Sequence, residues 1–278
     1  MEYSGSHVYL DGLIIPAAAA NEPPAGEVTF YEVIRTRDGI PVFFDDHMNR
    51  LMNGISTRYE PTEDISEEVR KGLYALADCE RHEEINVKVT VSFTGHVHRL
   101  HICYIPSSYP SEVMVAEGVP LIFYHAERFE PGVKMLNARL RTSVNEELAR
   151  RNAYEALLVN RDGLITEGSR SNIFFITHSG TVLTAPDSMV LSGITRHYVT
   201  GIIREEGIPL TYKAAGEKEA GFYRSAFITG TSPMVLAVKC IENQYFDVSD
   251  PLIVRLREKY SALVDNSVTE YMMRNKTD

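Results

Sequence analysis

Short β-rich runs separated by tight-turn residues confine this chain to folds built on antiparallel hairpins. The turns are Asp11-Gly12, Arg37-Asp38-Gly39, Thr94-Gly95, Arg161-Asp162-Gly163 and His178-Ser179-Gly180. Glycine after a short polar residue supplies the positive φ that such connections need. Residues 28–36 alternate β-branched and aromatic side chains up to the Arg37 turn, and residues 41–44 are expected to return as their partner. Residues 85–93 and 97–105 form a second expected hairpin, and residues 7–15 read as two shorter strands. Asp45-Asp46, acids suited to a helix N-terminus, open one helix, and a second covers 64–76.

Pro106-Ser107-Ser108-Tyr109-Pro110-Ser111 has the composition of a connection, and apolar strand patterning resumes at Val113. The expected division is an α+β N-terminal domain over 1–115, a connection over 116–130 and a C-terminal domain over 131–278. The C-terminal part carries a helix over 136–151, strands over 156–160, 164–166, 172–177 and 181–184, and a helix over 194–205. Strands at 208–212, 226–229 and 235–241 and a helix over 251–264 complete a β core with helices outside it.

A chain of 278 residues with 44% hydrophobic content can bury a substantial core. Its net charge of −10, from 28 basic and 38 acidic residues without a long Lys/Arg run, lacks the footprint of a nucleic-acid or anionic-membrane binder. Small-molecule partners are expected. Cys79, Cys103 and Cys240 form no CxxC pair, so neither a disulfide framework nor a zinc cluster is indicated, and a reducing cytoplasm fits. The N-terminal apolar patch has no basic flank and is broken by Asp11-Gly12, which makes a poor signal peptide. No run reaches the ~18 apolar residues of a membrane span.

Four separated segments carry chemistry: Lys134-Met135-Leu136-Asn137, Thr166-Glu167-Gly168-Ser169, Gly193-Ile194-Thr195-Arg196 and Gly230-Thr231-Ser232. Most lysines are solvated, but one that attacks an aldehyde must be neutral, and Val133, Met135 and Leu136 offer Lys134 the burial this needs. Glu167, at a strand end, is an ordinary turn acid or a carboxylate that keeps a pyridine nitrogen protonated. Gly193-Ile194-Thr195 opens a helix whose N–H groups favour an anion, as any such helix does. Thr231 and its neighbours offer a second phosphate wall, and Arg50 a guanidinium fork. Each feature is common alone; together they are the parts of a pyridoxal phosphate site.

On these residues, and most specifically on EALLVNRDGLITEGSRSNIFFI (155–176) and LSGITR (191–196), the chain resembles the class IV aminotransferases. This is the fold-type IV family of pyridoxal 5'-phosphate enzymes, which holds branched-chain and D-amino acid aminotransferases and aminodeoxychorismate lyases. The resemblance runs from about residue 9 to residue 238. It implies an α+β fold of two domains, a small α+β N-terminal one and a larger β-barrel-like one with surrounding helices. It implies that Lys134 forms the imine with the coenzyme and acts as the catalytic base, and that Glu167 contacts the pyridine nitrogen. It further implies that Arg50, Ile194, Thr195 and Thr231 hold the phosphate, that Leu191 packs on the ring, and that the enzyme is a homodimer or larger assembly acting on an amino acid and a 2-oxo acid.

Within the family, Phe30-Tyr31-Glu32-Val33-Ile34-Arg35 with the following Thr36-Arg37-Asp38-Gly39 resembles the D-amino acid enzymes, where branched-chain enzymes tend to carry phenylalanine and glycine in place of Tyr31 and Val33. The expected reaction is ping-pong transamination from a D-amino acid. The alternatives are a branched-chain L-amino acid aminotransferase, a lyase releasing pyruvate, and a coenzyme-binding protein without catalysis. The chain departs from the D-enzymes in lacking their Arg-x-His pair, having only Thr94-Gly95-His96-Val97-His98-Arg99. Arg139 and Arg170 are further departures. Tyr31, Arg35, Arg99, Arg139 and Arg170 are the candidates for the substrate carboxylate. His96, His98 and His101 begin at a turn and break strand alternation, so they are read as solvent-facing and no metal site is expected.

Overall fold

The computed structural model describes residues 3–20, 26–60 and 64–275, which fall into two compact units. One holds the chain up to Ser108 together with Lys134–Leu136 and the residues from Val264 onward; the other holds Tyr109–Val133 and Asn137–Leu263.

The first unit is a sheet of six strands, β1 (His7–Leu10), β2 (Leu13–Pro16), β3 (Val28–Arg37), β4 (Ile40–Pro41), β5 (Glu84–Thr94) and β6 (Val97–Ile105), in the order β2-β1-β6-β5-β3-β4. The long pairings are antiparallel, as the turn signals require. Helix α1 (Phe44–Ser56) packs on β3, and α2 (Ile65–Cys79) on β1 and β6. The approach of α2 is close: a Cβ on Gly72 would lie 2.5 Å from Ile102 and 2.9 Å from Tyr9. Alternation therefore assigns Ile102, Val89 and Glu32, which stand in one cross-strand row, to the helix-covered face. The opposite face carries Tyr31-Thr90-His101 and Val33-Lys88-Cys103 as neighbouring rows.

The second unit is built on β7 (Val119–His125), β8 (Glu155–Val159), β9 (Ile165–Gly168), β10 (Asn172–Ile176), β11 (Val182–Thr184), β12 (Leu210–Tyr212), β13 (Ser225–Gly230), β14 (Met234–Ile241) and β15 (Gln244–Tyr245). Their order is β12-β11-β10-β13-β14-β7-β8-β9, with β15 on β14. Strand β9 turns into β10 through a bond from Gly168 N–H to the Ser171 carbonyl, so the sheet curls back on itself. Leu121, Leu157, Ile165, Ile173, Ile228 and Leu236, from six strands, share one buried cluster inside the curl. Around it lie α3 (Glu112–Glu117), α4 (Ala138–Arg151), α5 (Ile194–Glu205) and α6 (Pro251–Arg274), the last passing into the first unit at Val264. The expected small α+β unit and larger barrel-like unit are both present. Among the described residues no helix is long and apolar enough to cross a membrane.

Several local expectations are corrected. The return strand after Asp38-Gly39 is only Ile40–Pro41, because Phe43 is in the left-handed region at φ 50° and Phe44 starts α1. The apolar residues from Val113 form α3, capped by Ser111 and ended by Gly118 at φ 71°. The stretch expected to be a connection contains β7, which pairs with both β14 and β8. Helix α4 starts at Ala138 rather than residue 136, since the Asn137 side chain caps it by accepting from Leu140 N–H. Helix α6 continues ten residues past 264. Its last turns are held in the first unit, where Ser267 accepts from Phe43 N–H at 2.8 Å and Tyr271 packs edge-on to Phe44.

Candidate active site

In the first unit, Lys134–Leu136 is extended and lies along β3. Tyr31 N–H donates to the Lys134 carbonyl (3.2 Å) and Leu136 N–H to the Thr29 carbonyl (3.0 Å), with Phe30 and Met135 bridged. These bonds fix the half-buried Lys134, whose Nζ stands 4.9 Å from the centroid of the buried Tyr31 ring. An ammonium over an aromatic face is attracted by the ring quadrupole. Lys134 thus belongs structurally with the N-terminal strands, although its sequence position precedes the second unit's first long helix.

Next to Tyr31, Glu32 is completely buried and triply engaged. His47 Nδ1 lies 2.8 Å from Oε2, and Arg50 donates from Nε to Oε1 (2.8 Å) and from Nη2 to Oε2 (2.6 Å). The i,i+3 spacing of His47 and Arg50 puts both on one face of α1. Burial pushes the Glu32 carboxyl up, but the Arg50 charge and the His47 and Arg50 hydrogen bonds overcome it and hold Glu32 well below the usual range. Burial pushes His47 down; its bond to Glu32 opposes this, while the charges of Arg50 and Lys134 add to it. Lys134 is therefore electrostatically coupled to this buried group, and two nitrogens of the expected phosphate ligand Arg50 are spent on Glu32.

In the second unit, Glu167 is buried at 2% exposure on β9. Its Oε2 accepts from Leu191 N–H (3.0 Å) and weakly from Asn172 Nδ2 (3.4 Å), while Oε1 lies 3.1 Å from Arg128 Nε in an ion pair. Asn172 Nδ2 also donates to the Leu191 carbonyl (3.0 Å), and a Cβ on Gly193 would meet Asn172 Oδ1 at 2.2 Å. Asn172 thereby joins Glu167 and Leu191 to the glycine that opens α5. Gly193 makes no side-chain cap, which leaves the first-turn N–H groups at Ile194 and Thr195 suited to an anion. Thr195 is buried with Oγ1 2.9 Å from the Tyr260 hydroxyl. Thr231 follows β13 directly, and the Cβ site of Gly230 lies 3.3 Å from the Arg170 carbonyl, so the loops after β9 and β13 abut.

Buried Glu155 shapes the loop after β9: it accepts from Ser169 Oγ (2.7 Å), Ser171 Oγ (2.9 Å) and Arg170 N–H (3.1 Å). A buried carboxylate can accept from a protonated ring nitrogen, and an uncapped helix start can donate to a phosphate, which are the two groups a phosphorylated pyridine presents. The residues present fit pyridoxal phosphate.

Most candidates for the substrate carboxylate point elsewhere. Arg35 donates to Glu84 (2.8 Å), Arg99 pairs with Asp11, and Arg170 donates to Asn145 of α4. Arg139 is exposed on the first turn of α4. Tyr31 alone among them adjoins Lys134. His96 is exposed at its turn and His98 lies 3.3 Å from Glu68, but His101, expected to face solvent, is buried at 1% exposure. Tyr3 lies against it, with ring centroids 5.8 Å apart and its hydroxyl 3.4 Å from His101 Nε2. Among the described residues no group of three or more His, Cys, Asp or Glu is arranged to hold a metal ion.

Sequence reasoning missed His47, Arg128, Asn172 and Glu155 as organising residues. Two signals were available: a lone acid, Glu32, inside the apolar strand β3, and a His and Arg one helical turn apart on α1. Arg128 carried none, since its pairing with Glu167 spans an unrelated segment of chain.

The model of the amino-transferase class IV family matches residues 29–241. The chain belongs to this family. It is therefore a class IV aminotransferase, a pyridoxal phosphate enzyme that exchanges amino groups between amino and keto acids. The D-alanine aminotransferase of Bacillus licheniformis is 28% identical over 225 residues, 77% of this chain and 79% of that protein. A probable branched-chain-amino-acid aminotransferase of Thermotoga maritima is 27% identical over 246 residues, 85% and 86% of the two chains. In fold, the aminotransferase resembles the branched-chain aminotransferase of the archaeon Thermoproteus uzoniensis solved with norvaline, at a TM-score of 0.81 and 22% identity over 96% of this chain and 97% of that one.

Proposed function

We propose that this aminotransferase takes its amino group from a D-amino acid and passes it to a 2-oxo acid in ping-pong fashion, with Lys134 as the catalytic base. The observation that carries the assignment is the placement of the Lys134 ammonium over the buried Tyr31 ring, in a strand whose Tyr31 and Val33 resemble the D-amino acid enzymes. Pyridoxal phosphate, when bound, supplies the electron sink that makes the substrate α-proton acidic. Lys134 Nζ would hold the coenzyme at rest and, once the donor amine has displaced it, would take the α-proton and return it to the coenzyme carbon. Glu167 keeps the pyridine nitrogen protonated, and Leu191 packs on the ring. The start of α5 at Ile194 and Thr195, with Thr231, would hold the phosphate, and Arg50 is the first unit's candidate for the same group.

The test is a set of visible absorption spectra of the coenzyme-loaded protein as D-alanine, D-glutamate, L-leucine and L-glutamate are added singly. Loss of the coenzyme band with the D-forms alone supports the proposal. A response to the L-forms alone moves the donor to the branched-chain class, which the Thermotoga maritima relative favours, and pyruvate release without an acceptor identifies a lyase. Lys134→Ala is expected to abolish turnover, and normal transamination by that variant would refute its role. We also infer a cytoplasmic homodimer: three unbridged cysteines suit a reducing compartment, and exposed Phe129 and Phe222 suit a partner surface. A monomeric mass by sedimentation would remove the dimer.

A further inference from the structure

A second lysine shares the ring that carries Lys134. Lys88, on β5, has its Nζ 5.5 Å from the Tyr31 centroid, against 4.9 Å for Lys134. Cross-strand register explains how: Tyr31 opposes Thr90 and Val33 opposes Lys88, so Lys88 is a diagonal neighbour of Tyr31 on the same face of the sheet. We propose that Lys88 is the cation that receives the α-carboxylate of the amino acid, beside the Tyr31 ring that also adjoins Lys134.

The donor amine takes the place of Lys134 on the coenzyme and Lys134 then takes the α-proton, so the α-carbon and the carboxylate it carries lie near Lys134 and the receiving cation must stand near it as well. Arg35, Arg99 and Arg170 direct their guanidinium groups to Glu84, Asp11 and Asn145, and Arg50 binds Glu32. Lys88 is half-buried, where a charge acts more strongly than in bulk water. Its field is directed into this face of the sheet, for it adds to the burial that lowers His101 to about 4 and opposes the burial that raises Cys103 to about 12. His101, in the next strand, is thereby neutral near pH 7 and does not compete as a cation.

The inference rests on Lys134 carrying the coenzyme, and its test separates the two. Binding of 4-methylvalerate, a carboxylate without an amine, is measured by calorimetry on the coenzyme-loaded parent, Lys88→Met and Lys88→Arg, alongside KM and kcat for the amino donor. Lys88→Met is expected to weaken 4-methylvalerate binding roughly ten- to a hundred-fold, the range for losing a charged hydrogen-bond partner. KM should rise by a similar factor with kcat nearly unchanged, and Lys88→Arg should restore most of the affinity. The visible spectrum and melting temperature of the loaded protein should not move. Unchanged carboxylate affinity in Lys88→Met, or equal loss in the Met and Arg variants, would overturn the assignment. Should Lys88→Met not fold, Lys88→Gln is read by the same criteria. A parent that binds 4-methylvalerate through Lys88 yet converts no amine would remove the proposed reaction and leave the anion site standing.

Discussion

The backbone N–H of Leu191 donates to Glu167 Oε2 at 3.0 Å across 24 residues of sequence. Through this bond the carboxylate assigned to the pyridine nitrogen and the loop that opens α5 are one rigid element, and Asn172 closes it by bonding to the Leu191 carbonyl. Asn172→Ala is therefore expected to cost about 1–3 kcal/mol of stability, the range for leaving buried polar groups without partners. Denaturant unfolding should register it, together with weaker coenzyme binding in a titration. Unfolding at the parent midpoint would mean the loop is held by other contacts.

Arg128 holds Glu167 from the other side, with Nε 3.1 Å from Oε1 and Nη2 donating to the Ser169 carbonyl at 2.9 Å. Arg128→Met leaves a buried carboxylate without this cation. The expected loss is about 2–4 kcal/mol, at the lower end for a buried pair because Arg128 retains some solvent contact. Slower turnover should accompany it, and Arg128→Lys should recover part of both; a Met variant with parent stability and rate would show the ion pair to be incidental.

Gly193 has no room for a side chain, since its Cβ would stand 2.2 Å from Asn172 Oδ1. Gly193→Ala must displace either Asn172 or the first turn of α5. Coenzyme affinity is expected to fall roughly ten-fold or more, an energy of about 1.4 kcal/mol, with the secondary-structure spectrum unchanged. Equilibrium dialysis of pyridoxal phosphate measures the first quantity and circular dichroism the second.

Stability should decline toward acid for a specific reason. His47 and His101 both have folded pKa values below the unfolded ~6.5, His47 by burial chiefly, and His101, at about 4, by burial and the Lys88 charge. A depressed folded value means that the unfolded chain binds the proton more tightly. Their stabilisation is complete above pH ~6.5 and is lost as pH falls, for His101 until about 4. Glu32 acts in the same direction at lower pH: its contribution is present above ~4.3 and is lost as pH falls toward its depressed folded value. Melting temperature should thus be flat near neutrality and fall below pH ~6.5. His101→Gln should flatten the slope between there and pH 4, and an unaltered slope would exclude His101 as a source.

The chain's hairpins were legible because their turns are written locally. Asp38-Gly39 and Thr94-Gly95 fix β3, β5 and β6 through backbone preferences that need no distant contact. Helix α5 was equally legible, since Gly193 and the following apolar period mark its start. The two-residue β4 and the α3 segment were misread because Phe43 and Val113 have strand-like side chains, whereas a left-handed φ at Phe43 and the Ser111 cap decided the backbone there.

Lys134, Glu167 and the glycine-hydroxyl turns could be picked out by residue type and order alone, because imine formation, ring protonation and phosphate binding each demand particular functional groups. Sequence by itself thus determined the family, the coenzyme chemistry and the hairpin framework. Which charges meet was decided only by tertiary structure. The Glu32-His47-Arg50 cluster, the Arg128-Glu167 pair and the approach of Lys88 to Tyr31 join residues whose proximity depends on strand register and helix packing. Those geometries are set cooperatively by the whole core, and no local spacing along the chain encodes them.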